Sequence, residues 1–351
     1  MRTRSTLSLL PLIACLGACG GSSSPTGPSS PPPTTTPPGS TVTLVVYYDE
    51  NANGVAEVGE VGRVPDVEVS LGSRSARSEK GTGRAVVTGV ASGSYTVSIR
   101  ADTLPPFYAV GAGVTVQVPA GDGSLIYVPL RLPIGGNQPN QYMAFGDSIT
   151  RGDGSSDGRG YPLRLQNKLQ GHFATAVVRS RGAEATNSFE AVERFERNFS
   201  RDAYVLILYG TNDWNIPECQ DAPPCHTIDN LRVVVREARA AGSLVFVATI
   251  IPANPAINAG RNTWVSSIND GIKTMARQEG AFVVDLYQAF QQQGGDLSRF
   301  FSDGVHPNDA GYEVIANGFF EAIAHGRASP GTASRGWSLF GFTAALGPGG
   351  D

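Results

Sequence analysis

The chain has 351 residues, 40% of them hydrophobic and 17% charged, which is enough apolar material for at least one large core and enough length for two domains. Its 27 Lys and Arg residues against 31 Asp and Glu residues give a net charge of −4, so nucleic acid is not an expected partner. No apolar run reaches the ~20 residues that a membrane-spanning helix needs.

Residues 1–18 have the pattern of a secretory signal, with two arginines before a short apolar run that ends in Leu-Gly-Ala. Together with Cys19 this ending resembles the bacterial lipobox, which implies that Cys19 is lipidated and begins the mature chain. Residues 21–40 are all Gly, Ser, Thr or Pro, so segment 19–40 is predicted to be an extended linker. We therefore expect an exported protein held at the bacterial cell envelope by a lipid anchor only. The outer membrane is the expected location, since no Asp follows Cys19. An ordinary cleavage site is the alternative.

Residues 41–133 are predicted to form an all-β sandwich, because short alternating runs are separated by Gly, Pro and Asp. Three such runs are Val67, Val69 and Leu71; Tyr95, Val97 and Ile99; and Val114, Val116 and Val118. With its Asp-Glu-Asn-Ala-Asn-Gly segment at 49–54, Gly59-Glu60 and Gly93-Ser94-Tyr95, the region resembles the prealbumin-like B-type modules of bacterial surface proteins. We interpret it as a spacer or adhesion module.

The segment from Asp49 to Glu60 fits the calcium-loop pattern D-x-[DN]-x-[DN]-G-x₅-E. The predicted ligands of a structural calcium ion are Asp49, Asn51, Asn53, Val55 through its carbonyl, and Glu60 with two oxygens. A plain hairpin loop built from good turn formers is the alternative.

Two cysteines follow much later, Cys219 and Cys225, with five residues between them. In an exported protein this spacing favours a disulfide that closes a small loop. A metal site that includes the adjacent His226 is the alternative.

After a linker at 134–140, residues 141–326 are predicted to form a three-layer α/β domain with a parallel sheet. Near-continuous apolar runs at 142–145, 176–178, 204–209, 244–250 and 282–286 alternate with helical patterns at 228–241, 265–278 and 310–324. The Gly-rich tail at 327–351 gives no clear prediction.

Polar groups follow the predicted strands, where ligands bind in parallel sheets. Gly-Asp-Ser148 follows the first strand, Gly182 the second and Asn212 the third; Asp303 and His306 share a loop before the last helix. A serine, a free backbone amide, an amide side chain and an Asp/His pair are the parts of an acyl-transfer site.

At these residues the chain resembles the SGNH, or GDSL-type, esterase and lipase superfamily, which implies a flavodoxin-like fold. The resemblance implies that Ser148 is the nucleophile, His306 the general base and Asp303 the residue that orients the imidazole. It also implies an oxyanion hole formed by the amides of Ser148 and Gly182 and by the side chain of Asn212. Around Gly182 the sequence departs from the family, which often has Asn and Gly where this chain has Ser180 and Ala185.

The sequence thus predicts an exported serine esterase whose substrate is a carboxylic ester, in a lipid or an acetylated glycan. Catalysis by this route needs no cofactor or metal. A catalytically silent adhesion or glycan-binding protein and an acyltransferase that uses the same site are the alternatives. Acyl-chain length and oligomeric state are not predicted.

Overall fold

A computed structural model describes residues 39–328. The predicted signal peptide, Cys19, nearly all of the linker and the tail beyond residue 328 therefore lie outside the described residues. Within the described range, no helix is both long enough and apolar enough to cross a membrane.

The first part of the described chain is rich in strands, as predicted. The strands are β1 (Ser40–Tyr48), β2 (Glu68–Leu71), β3 (Arg74–Arg77), β4 (Arg84–Val90), β5 (Gly93–Thr96), β6 (Ser98–Ile99), β7 (Ala109–Val110), β8 (Thr115–Val118) and β9 (Leu125–Arg131). They form a four-stranded sheet in the order β4-β1-β9-β7, a three-stranded sheet in the order β3-β2-β6, and the pair β5-β8. A short 3₁₀ helix, Ala101–Thr103, precedes β7.

Strand β1 is the centre of the largest of these sheets. It pairs antiparallel with β4 and parallel with β9, and its last five residues are all buried. A strand covered on both faces is expected to be almost continuously apolar, which is how residues 44–48 read. The arrangement of these sheets as a sandwich, and the likeness to prealbumin-like modules, remain predictions.

The second part has the predicted α/β architecture. Its strands are β10 (Gln138–Gly146), β11 (Val177–Gly182), β12 (Asp202–Leu208), β13 (Leu244–Ala248) and β14 (Phe282–Val284). Its helices are α1 (Ser148–Arg151), α2 (Gly160–Phe173), α3 (Ser188–Asn198), α4 (Pro217–Asp221), α5 (Thr227–Ala240), α6 (Pro255–Gln278), α7 (Leu286–Gln291) and α8 (Asp309–His325), with 3₁₀ turns at Thr211–Asn215 and Leu297–Phe300. All four strand pairings in the order β11-β10-β12-β13-β14 are parallel, which confirms the predicted parallel sheet.

Alternate residues of each central strand enter two different apolar cores. In β12, Val205 and Ile207 join the core beneath α3, α5 and α6, whereas Tyr204 and Leu206 join the core beneath α2 and α8. Because both faces of the sheet are covered by helices, the strands are apolar throughout. Polar side chains are therefore expected in the loops at the carboxyl ends of the strands.

The core beneath α2 and α8 continues into the strand-rich region. Tyr108, which precedes β7, packs edge-on against Tyr48 of β1 and stacks with Phe173 at the end of α2. Phe107 meets Phe246 of β13 edge-on, with ring centroids 5.7 Å apart. One apolar cluster therefore includes residues from both parts of the chain, a feature that the two separate sequence patterns do not reveal.

Candidate active site

The turn after β10 presents Ser148 at the carboxyl edge of the sheet. Asp147 is the N-cap of α1, and its Oδ1 accepts a hydrogen bond of 2.9 Å from the amide of Ile149. Gly146 has no room for a side chain, since a Cβ there would lie 2.4 Å from the carbonyl oxygen of Leu208. Ser148 is the first residue of α1, so its N–H has no acceptor within that helix.

The structure brings Ser148, His306 and Asp303 into one hydrogen-bonded chain. His306 Nε2 lies 3.0 Å from Ser148 Oγ, and His306 Nδ1 lies 2.7 Å from Asp303 Oδ2. Ser148 is 6% exposed, whereas the side chains of His306 and Asp303 are 23% and 53% exposed. The serine thus lies at the base of the arrangement, and the Asp/His pair faces solvent.

Asp303 is built to stay ionised. Burial alone would raise its pKa, but hydrogen bonds from the amides of His306 and Val305 and from the His306 ring outweigh burial and lower the pKa. An ionised Asp303 accepts a hydrogen bond from Nδ1–H of His306, which leaves the lone pair on Nε2 directed at Ser148.

The loop that carries Asp303 and His306 is held by residues that sequence reasoning did not identify. Asn254, the N-cap of α6, donates from Nδ2 to the carbonyl of Asp303 at 2.9 Å, and its own amide donates to the carbonyl of Gly304 at 3.0 Å. Asn258 donates to the same Gly304 carbonyl at 3.2 Å. The Asn-Pro pair at 254–255 is a sequence signal for the start of a helix. Nothing in the sequence indicates that Asn254 also binds the Asp303 loop, which lies 49 residues away.

Two of the predicted oxyanion donors have partners in the structure. The amide of Gly182 is 3.4 Å from Ser180 Oγ, and that hydroxyl in turn donates to the carbonyl of Thr150 at 3.0 Å. Asn212 Nδ2 donates to the carbonyl of Thr186 at 3.0 Å. Each amide NH₂ has two N–H groups, so Asn212 keeps one for a substrate.

The position of Gly182 explains why this residue is a glycine. A Cβ there would lie 2.0 Å from the amide nitrogen of Arg151, because β11 passes directly beside α1. The departure from the family pattern at Ser180 also has a consequence, since the Ser180 hydroxyl ties the Gly182 loop to the carbonyl of Thr150.

Asp213 fixes the loop that carries Asn212. It is 1% exposed, and its two oxygens accept the amide of Ser188 at 2.8 Å and the hydroxyl of Thr227 at 2.5 Å, which join the loop to the starts of α3 and α5. Arg261 of α6, also buried, donates to the carbonyl of Thr211.

Trp214 completes this loop. It is half-buried, packs edge-on against Trp264 with ring centroids 5.5 Å apart, and lies beneath the Arg261 guanidinium. Trp214 therefore belongs at least in part to the core around α6.

Asp147 is the most strongly perturbed carboxyl group beside the nucleophile. Complete burial raises its pKa to about 7, against the opposing effects of the Ile149 amide, His306 and Arg261, and nearby Asp213 raises it further. Its Oδ2 atom is buried without a hydrogen-bond partner among residues 39–328.

In the predicted calcium loop, the carboxylates of Asp49 and Glu60 accept hydrogen bonds from backbone amides of the loop itself. The oxygens of Asp49 accept the amides of Asn53 and Gly54 at 3.2 and 2.8 Å, and those of Glu60 accept the amides of Glu50 and Glu57 at 2.9 and 3.1 Å. These contacts are those of a well-ordered turn, and calcium binding at Asp49, Asn51, Asn53, Val55 and Glu60 remains a prediction.

Cys219 and Cys225 are joined by a disulfide, with Cα atoms 4.8 Å apart. The bond closes the segment between α4 and α5, which follows the Asn212 loop. Trp264 anchors this segment by donating from Nε1 to the carbonyl of Cys219 at 2.7 Å.

Comparisons with known proteins point to one family. Residues 144–314 match the model of the GDSL-like Lipase/Acylhydrolase family. The GDSL esterase/lipase CPRD49 of Arabidopsis thaliana is 22% identical over 205 residues, which cover 52% of this chain and 78% of that protein. The uncharacterized protein YpmR of Bacillus subtilis is 23% identical over 208 residues, which cover 51% of this chain and 80% of that protein.

Two solved structures are also similar. The lipase/acylhydrolase from Enterococcus faecalis is 22% identical with a TM-score of 0.45, covering 55% of this chain and 100% of that chain. The acetylxylan esterase Axe2 from Geobacillus stearothermophilus is 19% identical with a TM-score of 0.46, covering 56% of this chain and 99% of that chain.

The family match spans every residue of the candidate active site, from Ser148 to His306. It confirms the GDSL-type resemblance for this part of the chain and leaves the strand-rich region unassigned. Residues 144–314 are therefore similar along their whole length to the GDSL-like lipase/acylhydrolase family.

Proposed function

We propose that this protein hydrolyses carboxylic esters through an acyl-enzyme formed on Ser148. The observation that carries the proposal is the continuous chain from Ser148 Oγ through the His306 ring to Asp303, with distances of 3.0 and 2.7 Å. The distance between Ser148 Oγ and His306 Nε2 lies in the range that proton transfer from nucleophile to base requires. The shorter contact between His306 and Asp303 orients the imidazole.

In the first half-reaction, Ser148 Oγ attacks the ester carbonyl carbon as His306 Nε2 takes the hydroxyl proton. The negative charge that develops on the carbonyl oxygen is stabilised by the amide of Ser148 and by the free N–H of Asn212. The Gly182 amide contributes when it exchanges its long 3.4 Å contact with Ser180 Oγ for the substrate oxygen. When the intermediate collapses, the alcohol leaves with the proton from Nε2, and the acyl group stays on Ser148. Asp303 stabilises the imidazolium that forms between these steps.

In the second half-reaction, His306 Nε2 removes a proton from water, and the hydroxide attacks the acyl carbonyl. The carboxylic acid leaves, and Ser148 recovers its proton. An alcohol in place of this water would give acyl transfer, so product analysis separates hydrolase from transferase.

The test is a hydrolysis screen of the purified chain with nitrophenyl esters of increasing acyl length and with acetylated glycans. Ser148→Ala and His306→Ala should remove nearly all activity with unchanged thermal unfolding, and Ser148 should be labelled by an organophosphonate. Ser266→Ala, at an exposed position of α6, is the matched control and should behave as the wild type. A Ser148→Ala variant that cleaves these esters at the wild-type rate would overturn the proposal.

We further propose that the enzyme acts while anchored by a lipidated Cys19. The support is the lipobox-like ending of residues 1–18 and the Gly/Ser/Thr/Pro linker that follows. Wild-type protein should partition with membranes, and Cys19→Ser should abolish lipid labelling; unmodified wild-type protein with another N-terminus would contradict the anchor.

A further inference from the structure

A second group of functional side chains lies where the strand-rich region meets α2 and α8. Asp66, His172 and His325 each place one potential ligand atom within 4.8 Å of the others. Asp66 precedes β2, His172 is in the last turn of α2, and His325 ends α8. Three side chains that are distant in sequence thus converge on one point.

His325 is oriented toward this point by a carboxylate on its far side. Its Nδ1 lies 3.0 Å from Glu321 Oε2, and Glu321 is itself held by Arg327 at 3.0 Å. Its Nε2 lies 3.7 Å from Asp66 Oδ2. When Nδ1–H of His325 donates this hydrogen bond to Glu321, the lone pair of Nε2 is directed at another acceptor, Asp66. That arrangement is unfavourable unless a cation lies between Nε2 and Asp66.

His172 supplies an independent observation. It is 2% exposed, and neither ring nitrogen has a hydrogen-bond partner among the described residues. Around it are aromatic rings, with Phe173 and Phe320 edge-on at 4.6 and 5.3 Å and the His325 ring at 5.4 Å. A buried imidazole whose two nitrogens make no hydrogen bond is unfavourable. A bound ligand at this point would give one of these nitrogens a partner.

We propose that Asp66, His172 and His325 bind a divalent transition-metal ion, with Zn²⁺ as the best fit. Two imidazoles and one carboxylate are ligands that zinc accepts, and water completes a tetrahedron. Glu321 has the role that carboxylates commonly play toward metal-binding histidines, which is to fix the ring through its other nitrogen.

The distances require only small movements. Zinc bonds of about 2.0–2.2 Å place neighbouring ligand atoms roughly 3.4 Å apart in a tetrahedron. The observed 3.7 Å between His325 and Asp66 is already close to this value, and the longest separation of 4.8 Å can close by rotation of side chains. The side chain of Asp66 is 44% exposed, which provides a path for the ion to enter.

The position of this site predicts a structural role. Helix α2 begins near the catalytic edge and ends at Phe173, directly after His172, and its 14 residues span about 20 Å. A metal there would connect the strand-rich region to the ends of α2 and α8, far from Ser148. It would therefore stabilise the fold without taking part in ester hydrolysis.

The test uses the full chain stripped of metal. Titration with ZnCl₂ should show one ion per chain at this site, and saturation should raise Tm by about 5 °C. Co²⁺ should give the visible absorption of a tetrahedral site. Asp66→Asn and His325→Gln should each weaken zinc binding by at least about tenfold.

His226→Gln is the matched control, because His226 is exposed and remote from the site; it should bind zinc as the wild type does. His172→Phe fills the buried space without a ligand atom, so it should fold but lose the zinc-dependent rise in Tm. If the wild type takes up no zinc, or if all variants bind it equally, the proposal is wrong.

Discussion

Tyr108 of the strand-rich region and Phe173 of the α/β domain stack with ring centroids 6.4 Å apart and planes 21° from parallel. Tyr108 is 8% exposed and also touches Tyr48 in β1. A pendant module joined only by a linker would not bury an aromatic side chain against the α/β domain. The contact indicates that the two parts of the chain stabilise each other.

Tyr108→Ala should therefore destabilise both parts together. Truncation of a large buried aromatic residue costs roughly 3 kcal/mol or more in free energy of unfolding. Calorimetry should show one transition that shifts to lower temperature as a whole. Tyr127→Ala, at a position that is 37% exposed, is the control and should have a much smaller effect. Two separate transitions, only one of which moves, would show that the parts are independent.

Asn212→Ala should reduce kcat by about 10²–10³ with little change in KM, because it removes one donor to the developing oxyanion. The same variant loses the hydrogen bond to Thr186, so its Tm must be measured alongside the kinetics. Asn167→Ala, at an exposed position of α2, is the control and should leave both parameters unchanged. An equal kcat in Asn212→Ala and the wild type would show that Asn212 is not part of the oxyanion hole.

Gly182→Ala should lower both kcat and stability. The added Cβ would meet the Arg151 amide at 2.0 Å, so β11 or α1 must move, and α1 begins with Ser148. Gly171→Ala is the matched control, since nothing lies within 4 Å of that Cβ and alanine is favoured in a helix. Steady-state kinetics and thermal unfolding of the two variants check this. A wild-type kcat in Gly182→Ala would show that catalysis does not need the close approach of β11 to α1.

The alternation of apolar strands and helices was sufficient to predict the parallel sheet. The residues that follow two of its strands placed Ser148 and Asn212 at one edge, and the loop before the last helix placed His306 there. These features are local in sequence or follow from parallel topology. The supports of the site were not predictable in this way. Asn254 caps α6 and Arg261 lies within it, and each contacts a loop about 50 residues away.

The packing of the strand-rich region against the α/β domain also could not be predicted from the sequence pattern. Period-2 alternation shows which side of a strand is apolar but not which surface covers it. His172 illustrates the same limit. At the end of a helix it fits a favourable interaction with the helix dipole, yet the structure buries it against Phe173 and Phe320.

Calcium should raise the Tm of the metal-free chain if the loop from Asp49 to Glu60 binds it. Glu60→Gln should abolish this rise, because Glu60 supplies two of the predicted ligand oxygens. Glu79→Gln, at an exposed site outside the loop, should retain the rise. Calorimetry with calcium added to metal-free protein checks this, and ester hydrolysis should be the same with and without calcium. An unchanged Tm in the wild type would favour the plain turn.

Asp147 should make stability fall as the pH rises. Burial raises its pKa from 3.8 to about 7, so between these values the folded state holds a proton that the unfolded state has lost. Its contribution is most favourable below pH 3.8 and is lost as the pH rises through about 7. The full shift corresponds to about 4 kcal/mol.

Asp147→Asn keeps an oxygen that can accept the Ile149 amide but cannot ionise. Its free energy of unfolding, compared with that of the wild type, should therefore increase by about 3 kcal/mol between pH 5 and pH 8. Urea unfolding at several pH values measures this difference, and Asp122→Asn, an exposed carboxylate, should show none. A difference between Asp147→Asn and wild type that stays constant with pH would mean that Asp147 is ionised throughout this range, held so by the nearby His306 and Arg261.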